Sequence, residues 1–444
     1  MNTPIRDFAA RYAESGISRL HMPGHKGRGP LGCEALDITE VAGADALYEA
    51  AGIIAESEEN AARLFGTRRT LYSTEGSSQC IRAMLRLALA ARRPGRGRPV
   101  ALAARNAHKA FLYAAALCDF DVEWLWPGAG SASLCACPVS ASALAARLDA
   151  MDAMDDKPFC VYVTSPDYLG GQLDIAALAA ACRARGVPLL VDNAHGAYLK
   201  FLPEAAHPME LGADMCCDSA HKTLPVLTGG AYLHISKRAD PCFAGAAKRA
   251  MALFGSTSPS YLVLQSLDCA NAALAGDWPA RLAACRGRVD ALKETLRGRG
   301  FDVMRTEPMK LTLRTDGPRA AALLRAEGVE CEYADGEHVV LMVSPDSAPE
   351  DFRRVAAALT APLPYSPRPY SPPRLARALS IREAMFAPDE LVPAREAVGR
   401  VCAAPTVSCP PAVPIAVSGE VITEEATAAF TRFGISEISV VRNA

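Results

Sequence analysis

The chain has 444 residues, and its 50% hydrophobic content is enough for a large core and for two or three domains. A formal net charge of -2 and an isoelectric point of about 6.5 exclude the broad basic field that proteins use to bind nucleic acids or anionic membranes. We therefore predict a small molecule as the partner.

The N-terminal residues lack the apolar core of a signal peptide, and no long uncharged apolar run is found in the sequence. The 15 cysteines are scattered through apolar segments. The close pairs Cys135/Cys137 and Cys216/Cys217 lack the two-residue spacer of a zinc knuckle. These features predict a cytoplasmic protein with reduced, mostly buried thiols and no metal site.

From about residue 60 to 270, short apolar or β-branched runs alternate with alanine-rich stretches. This pattern predicts an α/β fold in which βα units feed a mainly parallel sheet. The predicted strands are Thr70–Ser73, Val100–Arg105, Val122–Trp126, Phe159–Thr164, Pro188–Asp192, Met215–Ser219 and Ala231–Ile235. The predicted helices are Ser77–Ala91, Ala107–Leu117, Ala141–Met151 and Ile175–Arg185.

After about residue 275 the pattern predicts a smaller α+β domain. A long helix over Pro279–Arg297 precedes two strand pairs, Asp302–Thr306 with Lys310–Arg314 and Val329–Tyr333 with His338–Val343. The proline-rich segment Pro362–Pro373 predicts a semi-rigid linker. The predicted units are an N-terminal arm (1–20), a large domain (21–275), a small domain (276–361), the linker (362–378) and a C-terminal segment (379–444).

The segment from Ser73 to Gln79 lies between a predicted strand and a predicted helix. Gly76, Ser77 and Ser78 would offer backbone N–H groups and hydroxyls to a phosphate at the helix N-terminus. A serine cap without any ligand would give the same pattern. Glu75 would repel a phosphate dianion, so we expect its carboxylate to point away.

Two further motifs follow apolar strands. Asp192 ends the strand in the segment that continues to His195, where a carboxylate could bind a metal, a ribose or a protonated ring nitrogen, or cap a loop. Lys222 follows the next strand, in Ser219-Ala220-His221-Lys222. Burial would lower the pKa of this lysine and make its amine nucleophilic, although isolated lysines usually extend to the surface.

Together the three motifs match one cofactor, pyridoxal 5'-phosphate (PLP). It carries a phosphate, a basic ring nitrogen and an aldehyde that forms an imine with a lysine. The sequence therefore predicts a PLP enzyme whose cofactor is attached to Lys222.

With these residues assembled, the chain resembles the Orn/Lys/Arg decarboxylase family of fold-type-I PLP enzymes, in particular its short members without an N-terminal receiver-like domain. The resemblance covers nearly the whole chain and implies a large domain with a mainly parallel sheet and a smaller α+β domain. Besides the Asp192 and Lys222 motifs, it is carried by His21-Met-Pro-Gly-His-Lys-Gly27, Asp37-Ile-Thr-Glu-Val41, Gly52-Ile-Ile54, Asn106-Ala-His108-Lys109, Thr257-Ser-Pro-Ser-Tyr261, Cys409-Pro-Pro-Ala-Val-Pro414 and Ser418-Gly-Glu420.

The resemblance implies a role for each matching residue. Asp192 would pair with the pyridinium nitrogen, and His108 would stack on the ring. The residues around the phosphate would be Gly76, Ser77, Ser78, Ser219 and His221, and His195 would also contact the cofactor. The proton donor to the substrate carbon would be Lys222, His221 or Cys409. The segments His21–Gly27 and Ser256–Ser258, the second with Ser256 and Thr257 as cofactor contacts, would reach the active site of a second subunit, which implies a homodimer or a higher even oligomer.

Several of these residues have simpler alternatives. On the residues alone, His108 is an ordinary histidine at a helix start, Cys409 is a buried thiol, and His21 and His25 could be mistaken for metal ligands. Gly24 and Gly27 favour close backbone approach over a ligand cage.

The family resemblance implies decarboxylation of arginine, which we favour, or of lysine or ornithine, to the amine and carbon dioxide, with a place in polyamine biosynthesis. Glu383 and Glu420 are candidate partners for the distal cation of the substrate. The chain departs from the common family pattern at Asn193, Tyr198, Ala220, Gly229-Gly230 and in the loop Glu75-Gly-Ser-Ser78. These departures affect the prediction of the substrate more than that of the cofactor.

Three alternatives stay open at this point. An aminotransferase or another lyase on the same scaffold would use an arginine clamp, for which Arg305 and Arg314 are available. The chain could instead be an inactive regulatory homologue. A plain nucleotide-binding α/β domain is the third alternative.

Overall fold

The computed structural model describes residues 1–92, 97–128, 133–367, 370–408 and 412–442. Cys409, a predicted catalytic residue, lies outside the described residues. The described cysteines are all free thiols, and most of them are buried. In the described ranges, no helix combines the length and the apolar character needed to cross a membrane.

A seven-stranded sheet forms the centre of the fold, in the order β1-β7-β6-β5-β4-β2-β3. Its strands are β1 (Arg69–Ser73), β2 (Val100–Ala104), β3 (Asp121–Leu125), β4 (Cys160–Thr164), β5 (Leu189–Asp192), β6 (Met215–Asp218) and β7 (Ala231–Ile235). The run β6-β5-β4-β2-β3 is parallel, whereas β7 and β1 pair antiparallel. The prediction of an α/β fold with a mainly parallel sheet is confirmed, and each predicted strand end in this seven-stranded sheet is correct to within one residue.

Helices cover both faces of this sheet. The helices up to residue 274 are α1 (Pro4–Glu14), α2 (Ile53–Phe65), α3 (Gly76–Ala91), α4 (Lys109–Cys118), α5 (Ala141–Ala153), α6 (Ile175–Arg183), α7 (Pro208–Leu211), α8 (Ala220–Thr223), α9 (Pro241–Ala252) and α10 (Tyr261–Leu274), with a 3-10 turn at Ala197–Phe201. Alternate residues of β4 serve opposite faces: Cys160 and Tyr162 pack with α3 and α4, and Val161 and Val163 pack with α5 and α6.

The predicted small α+β unit begins with the long helix α11 (Trp278–Gly298). A four-stranded antiparallel sheet follows, in the order β10-β11-β9-β8. Its elements are β8 (Asp302–Val303), β9 (Lys310–Arg314), α12 (Gly317–Ala326), β10 (Tyr333–Ala334), β11 (His338–Met342) and α13 (Pro349–Ala358). Strand β8 is shorter than predicted because the Glu307 backbone N–H donates to the Gly170 carbonyl, 2.8 Å away, and this contact turns the chain toward the large sheet.

The C-terminal residues form a separate core around Ile415, Phe430 and Val440. Their elements are α14 (Ile381–Phe386), β12 (Asp389–Pro393), a 3-10 turn at Ala394–Glu396, β13 (Thr406–Ser408), β14 (Val413–Ala416), α15 (Glu424–Arg432) and β15 (Glu437–Val441). The strands pair as β12 with β15 and β13 with β14. The division into the five predicted units stays a prediction.

Candidate active site

A cavity of about 430 Å³ lies at the carboxyl ends of β4, β5 and β6. These parallel strands end together because Thr164 of β4 is in register with Asp192 of β5, which is in register with Cys217 of β6. Polar residues at the three strand ends therefore reach one place, as expected of a doubly wound sheet. The site residues that the sequence predicted and that line this cavity are Gly76, Ser77, Ser78, His108, Asp192, His195, Ser219, His221 and Lys222.

One end of the cavity is formed by the start of α3. Gly76 has a φ of +70°, which a residue with a side chain rarely adopts, and its N–H donates to the Gly229 carbonyl at 2.7 Å. The first turn of a helix leaves backbone N–H groups without helical partners. The Ser219 hydroxyl donates to the Ser77 hydroxyl at 2.7 Å. This anion-binding loop, Gly76–Ser78, suits a phosphate-like group.

Glu75 precedes this loop and also lines the cavity. Its carboxylate accepts a hydrogen bond from the backbone N–H of Ser256. One carboxylate oxygen of Glu75 therefore binds a backbone N–H that lies outside the anion-binding loop.

Asp192 places a buried carboxylate in the cavity, since the residue is only 2% exposed. The Tyr162 hydroxyl donates to its Oδ2 at 3.0 Å, and the Ala194 N–H donates to its Oδ1 at 3.2 Å. These donors fix the orientation of the carboxylate without neutralising its charge.

Lys222 lies on the short helix α8, which follows β6 directly. Its Nζ is 3.2 Å from Nε2 of His195. Burial lowers the pKa of Lys222, while the charges of Asp192 and Glu332 oppose that shift. The lowered pKa increases the neutral, nucleophilic fraction of the amine.

His108 and His221 are both predominantly uncharged at neutral pH because burial lowers the pKa of each ring. His108 caps α4: its Nδ1 accepts from the Ala110 N–H at 3.2 Å, so the helix begins at Lys109 and not at Ala107 as predicted. Nδ1 of His221 is 3.0 Å from the Gly230 carbonyl. A carbonyl oxygen only accepts, so the proton of the His221 ring lies on Nδ1.

Ser256 and Thr257 do not join this group, because both are exposed and neither lines the cavity. His21 and His25 are also elsewhere: His21 Nε2 is 2.7 Å from the Tyr12 hydroxyl, and His25 Nε2 is 3.1 Å from Asp37 Oδ2. Whether these residues reach a second subunit stays a prediction.

The two glutamates predicted to bind the distal cation of the substrate lie away from the cavity lining. Glu420 is buried 3.5 Å from Arg105, and Glu383 belongs to the cap of α14. The candidate clamp residues Arg305 and Arg314 are both exposed. Within the described ranges, no arginine lines the cavity.

Sequence reasoning missed Lys310 and Tyr168. Lys310 is fully buried, with its Nζ 3.3 Å from His195 Nδ1 and 3.2 Å from the Tyr168 carbonyl oxygen. In β9, Lys310 and Thr312 alternate with Leu311 and Leu313, which suggests that the polar face is exposed to solvent. That face packs against the large domain instead, and no local sequence signal indicates this.

A family model described as Orn/Lys/Arg decarboxylase, major domain, matches residues 3–299. The chain is 29% identical to an arginine decarboxylase of Halalkalibacterium halodurans, with 95% of this chain and 91% of that protein covered. It is 28% identical to the uncharacterized protein YaaO of Bacillus subtilis, with 97% of this chain and 94% of that protein covered.

Solved structures share the fold. The Francisella novicida lysine decarboxylase LdcF has a TM-score of 0.81 at 17% identity, over 99% of this chain and 81% of that chain. The constitutive lysine decarboxylase of E. coli has a TM-score of 0.79 at 17% identity, over 99% of this chain and 82% of that chain. The resemblance seen in the sequence is confirmed, because the family model spans more than half of the chain. The chain belongs to the Orn/Lys/Arg decarboxylase family of amino-acid decarboxylases.

Proposed function

We propose that the chain decarboxylates a basic amino acid, with arginine favoured over lysine and ornithine, and that it uses PLP bound through Lys222. The observation that carries this proposal is that Lys222, Asp192 and the anion-binding loop line one cavity. The relative from Halalkalibacterium halodurans is named arginine decarboxylase, which supports the order of substrates.

The polar groups of the cavity fit PLP. Gly76–Ser78 and Ser219 would hold the phosphate, Asp192 would face the ring nitrogen, and Lys222 would react with the aldehyde. Two further polar atoms of the lining, Thr164 Oγ1 and Asn106 Oδ1, are buried and have no hydrogen-bond partner among the described residues. A polar molecule in the cavity would satisfy them. When bound, PLP supplies a sink for the electrons that remain after loss of carbon dioxide.

The residues of the chain set the electrostatics of that reaction. The Asp192 carboxylate, oriented by Tyr162 and Ala194, would hold a proton on the nitrogen that faces it, because an anion in a buried site strongly favours a nearby cation. Lys222 would serve as the amine that binds the cofactor and is released from it.

The surroundings of the cavity favour a cationic substrate. Glu75 lies in the lining, and Glu332 accepts a hydrogen bond of 2.6 Å from Tyr168, which also lines the cavity. A distal guanidinium or ammonium group is attracted by such carboxylates. The absence of arginine from the described lining opposes the aminotransferase alternative, and retention of Lys222 opposes an inactive homologue.

We also propose a homodimer whose subunits complete one another's active sites. The region around His21–Gly27 exposes several large apolar side chains, and such a patch favours burial against another protein. The exposed fractions are 57% for Ile17, 94% for Leu20, 70% for Met22 and 82% for Leu31. A cytoplasmic location and a contribution to polyamine biosynthesis complete the proposal, and both rest on the sequence.

The function is tested with purified wild-type protein and the Lys222→Ala variant. We expect a visible absorbance band in the wild type and its loss in Lys222→Ala, with Lys237→Ala as a surface control that keeps the band. Each protein is then incubated with arginine, lysine and ornithine, and carbon dioxide, amine and keto acid are measured. Amine and carbon dioxide without keto acid are expected for one substrate. A band that survives in Lys222→Ala, or formation of keto acid, would contradict the proposal.

A further inference from the structure

His195 lies between two lysines, the buried Lys310 and Lys222, which lines the cavity. Its Nε2 is 3.2 Å from Nζ of Lys222, and its Nδ1 is 3.3 Å from Nζ of Lys310. The imidazole is only 5% exposed and packs edge-on against the ring of Tyr168, with 5.1 Å between the ring centroids. We call Lys222, His195 and Lys310 the Lys-His-Lys cluster.

The protons of this cluster are constrained by the chemistry of its groups. Burial, together with the charges of Lys222 and Lys310, lowers the pKa of His195 well below its ordinary value, so the imidazole is neutral. A neutral imidazole accepts a hydrogen bond at one nitrogen and donates at the other. An ammonium group only donates, so it can face only the accepting nitrogen. The lysine at the donating nitrogen must therefore be a neutral amine.

Lys310 is the better placed of the two lysines to keep its proton. Its Nζ also donates to the Tyr168 carbonyl at 3.2 Å and lies 5.8 Å from the centre of the Tyr168 ring. Burial lowers the pKa of Lys310 as well. The charges of two buried carboxylates, Glu307 and Asp167, oppose that shift and are not among the main influences on Lys222.

The other titratable groups around the cluster come from several elements. Asp192 and Glu332 favour a charged Lys222, whereas burial opposes it. The groups that face the cluster are Asp192 at the end of β5, Cys217 in β6, His221 in α8, His108 before α4, Asp167 after β4, Glu307 before β9 and Glu332 before β10.

We propose that Lys310 is a positioning residue: as an ammonium ion it donates to His195 Nδ1, which holds the proton of His195 on Nε2 and keeps Lys222 a neutral amine. Lys310 acts through His195 and not on the cofactor. The consequence of this arrangement for catalysis rests on the proposed function, because a neutral Lys222 matters when an aldehyde is to be bound.

The tautomer is measured directly in the full-length protein freed of cofactor. The chain has 8 histidines, so in 15N-histidine-labelled protein the His195 signals are identified by their loss in His195→Gln. We expect the proton on Nε2 in the wild type. A proton on Nδ1 would overturn the proposal, whether or not the protein binds PLP.

The effect on Lys222 is measured as the rate at which the same protein reacts with added PLP, followed in the visible spectrum from pH 6 to 10. The amine and the aldehyde lose one water in this step, and only the neutral amine reacts. In Lys310→Met we expect the midpoint of the profile to rise by about one pH unit, which makes the reaction about tenfold slower at pH 7. An unchanged midpoint would overturn the proposal.

Two further variants separate charge from structure. Lys310→Arg always carries a proton and can still donate to Nδ1, so it should keep the wild-type midpoint. Lys293→Met removes another buried lysine of the small domain, whose Nζ donates to the Pro308 carbonyl at 3.1 Å, and should also leave the midpoint unchanged. If the midpoint of Lys310→Arg rises as far as that of Lys310→Met, the positive charge at position 310 does not hold Lys222 neutral, and the proposal is overturned. A wild-type protein that does not react with PLP at any pH would overturn the proposed function and leave the tautomer result intact.

Discussion

Asp167 shows how a single buried acid couples the structure to pH. Its Oδ1 accepts from the N–H groups of Leu169 and Gly171 at 2.9 and 2.8 Å. Burial raises the pKa of Asp167 to about 6, although these backbone donors and Lys310 oppose the shift. The folded protein therefore takes up a proton here at a higher pH than the unfolded chain, whose ordinary value is 3.8.

This proton uptake makes the contribution of Asp167 to stability depend on pH. Protonation of Asp167 stabilises the folded state as the pH falls below about 6. At pH 7.5 Asp167 is ionised, and this stabilisation is lost. Replacement by asparagine removes the titration. From pH 7.5 to pH 5 we expect the stability of Asp167→Asn, relative to wild type, to fall by about 1.4 kcal/mol. Urea unfolding at both pH values measures this difference, and a difference independent of pH would contradict the raised pKa.

The residues of the site were predictable from the sequence to different degrees. Asp192, Ser219 and Lys222 follow apolar strands, so the rule that strand ends converge was sufficient to bring them together. Lys310 and Tyr168 come from segments far from each other in the chain, and neither carries a local motif. Their place in the site depends on how the small sheet packs on the large one, and local patterns do not specify this.

At the scale of elements, Gly229 brings the segment after Lys222 into contact with the anion-binding loop. This residue has a φ of +96°, and a Cβ placed there would be 2.7 Å from the Thr74 carbonyl oxygen. Its own carbonyl accepts from the Gly76 N–H. Gly229 thus permits close contact between the two segments.

Gly229→Ala should therefore disturb the loop. We expect a loss of about 2 kcal/mol in unfolding free energy from the positive φ and the contact with Thr74, together with weaker retention of PLP. Gly287→Ala is the matched control. A Cβ added to this exposed glycine of α11 would meet no neighbouring atom within 4 Å. Alanine should therefore stabilise the helix by about 0.5 to 1 kcal/mol. Thermal unfolding and PLP titration measure both effects. Equal effects in the two variants would contradict the role of Gly229.

The central strands of the large sheet were predictable because their apolar runs are buried on both faces and bounded by turns. The exceptions have tertiary causes. Strand β8 stops at Val303 because the Glu307 N–H donates to the Gly170 carbonyl, and α4 starts at Lys109 because the His108 ring accepts from the Ala110 N–H. Both causes are hydrogen bonds, and the spacing of apolar residues in the sequence does not predict them.

At the scale of the whole molecule, Arg105 connects the large sheet to the C-terminal core. It follows β2, and its guanidinium donates to the carbonyls of Pro414 and Ile415 at 3.0 and 2.9 Å. Glu420 is 3.5 Å away, and both side chains are nearly inaccessible to solvent. Such contacts join residues about 300 positions apart. The sequence therefore indicated that a C-terminal segment exists, but it did not indicate that this segment packs against the large sheet.

The buried Arg105–Glu420 pair favours one of two roles for Glu420. In the first, which the sequence left open, the carboxylate binds the distal cation of the substrate. In the structure it compensates Arg105, and the Val417 N–H donates to it at 2.7 Å. Breaking a buried ion pair leaves an uncompensated charge, so Glu420→Gln should lose about 3 kcal/mol in unfolding free energy.

The two roles differ in the expected kinetics. If Glu420 only compensates Arg105, we expect the KM for the amino acid in Glu420→Gln to stay within about twofold of the wild-type value. The measurement is made at a temperature where the variant is folded. A factor of two corresponds to a change of about 0.4 kcal/mol in binding free energy. The exposed Glu383→Gln is the matched control: glutamine can replace glutamate in the cap of α14, so stability should change by less than about 0.5 kcal/mol. A large rise in KM without loss of stability in Glu420→Gln would instead place this carboxylate at the substrate.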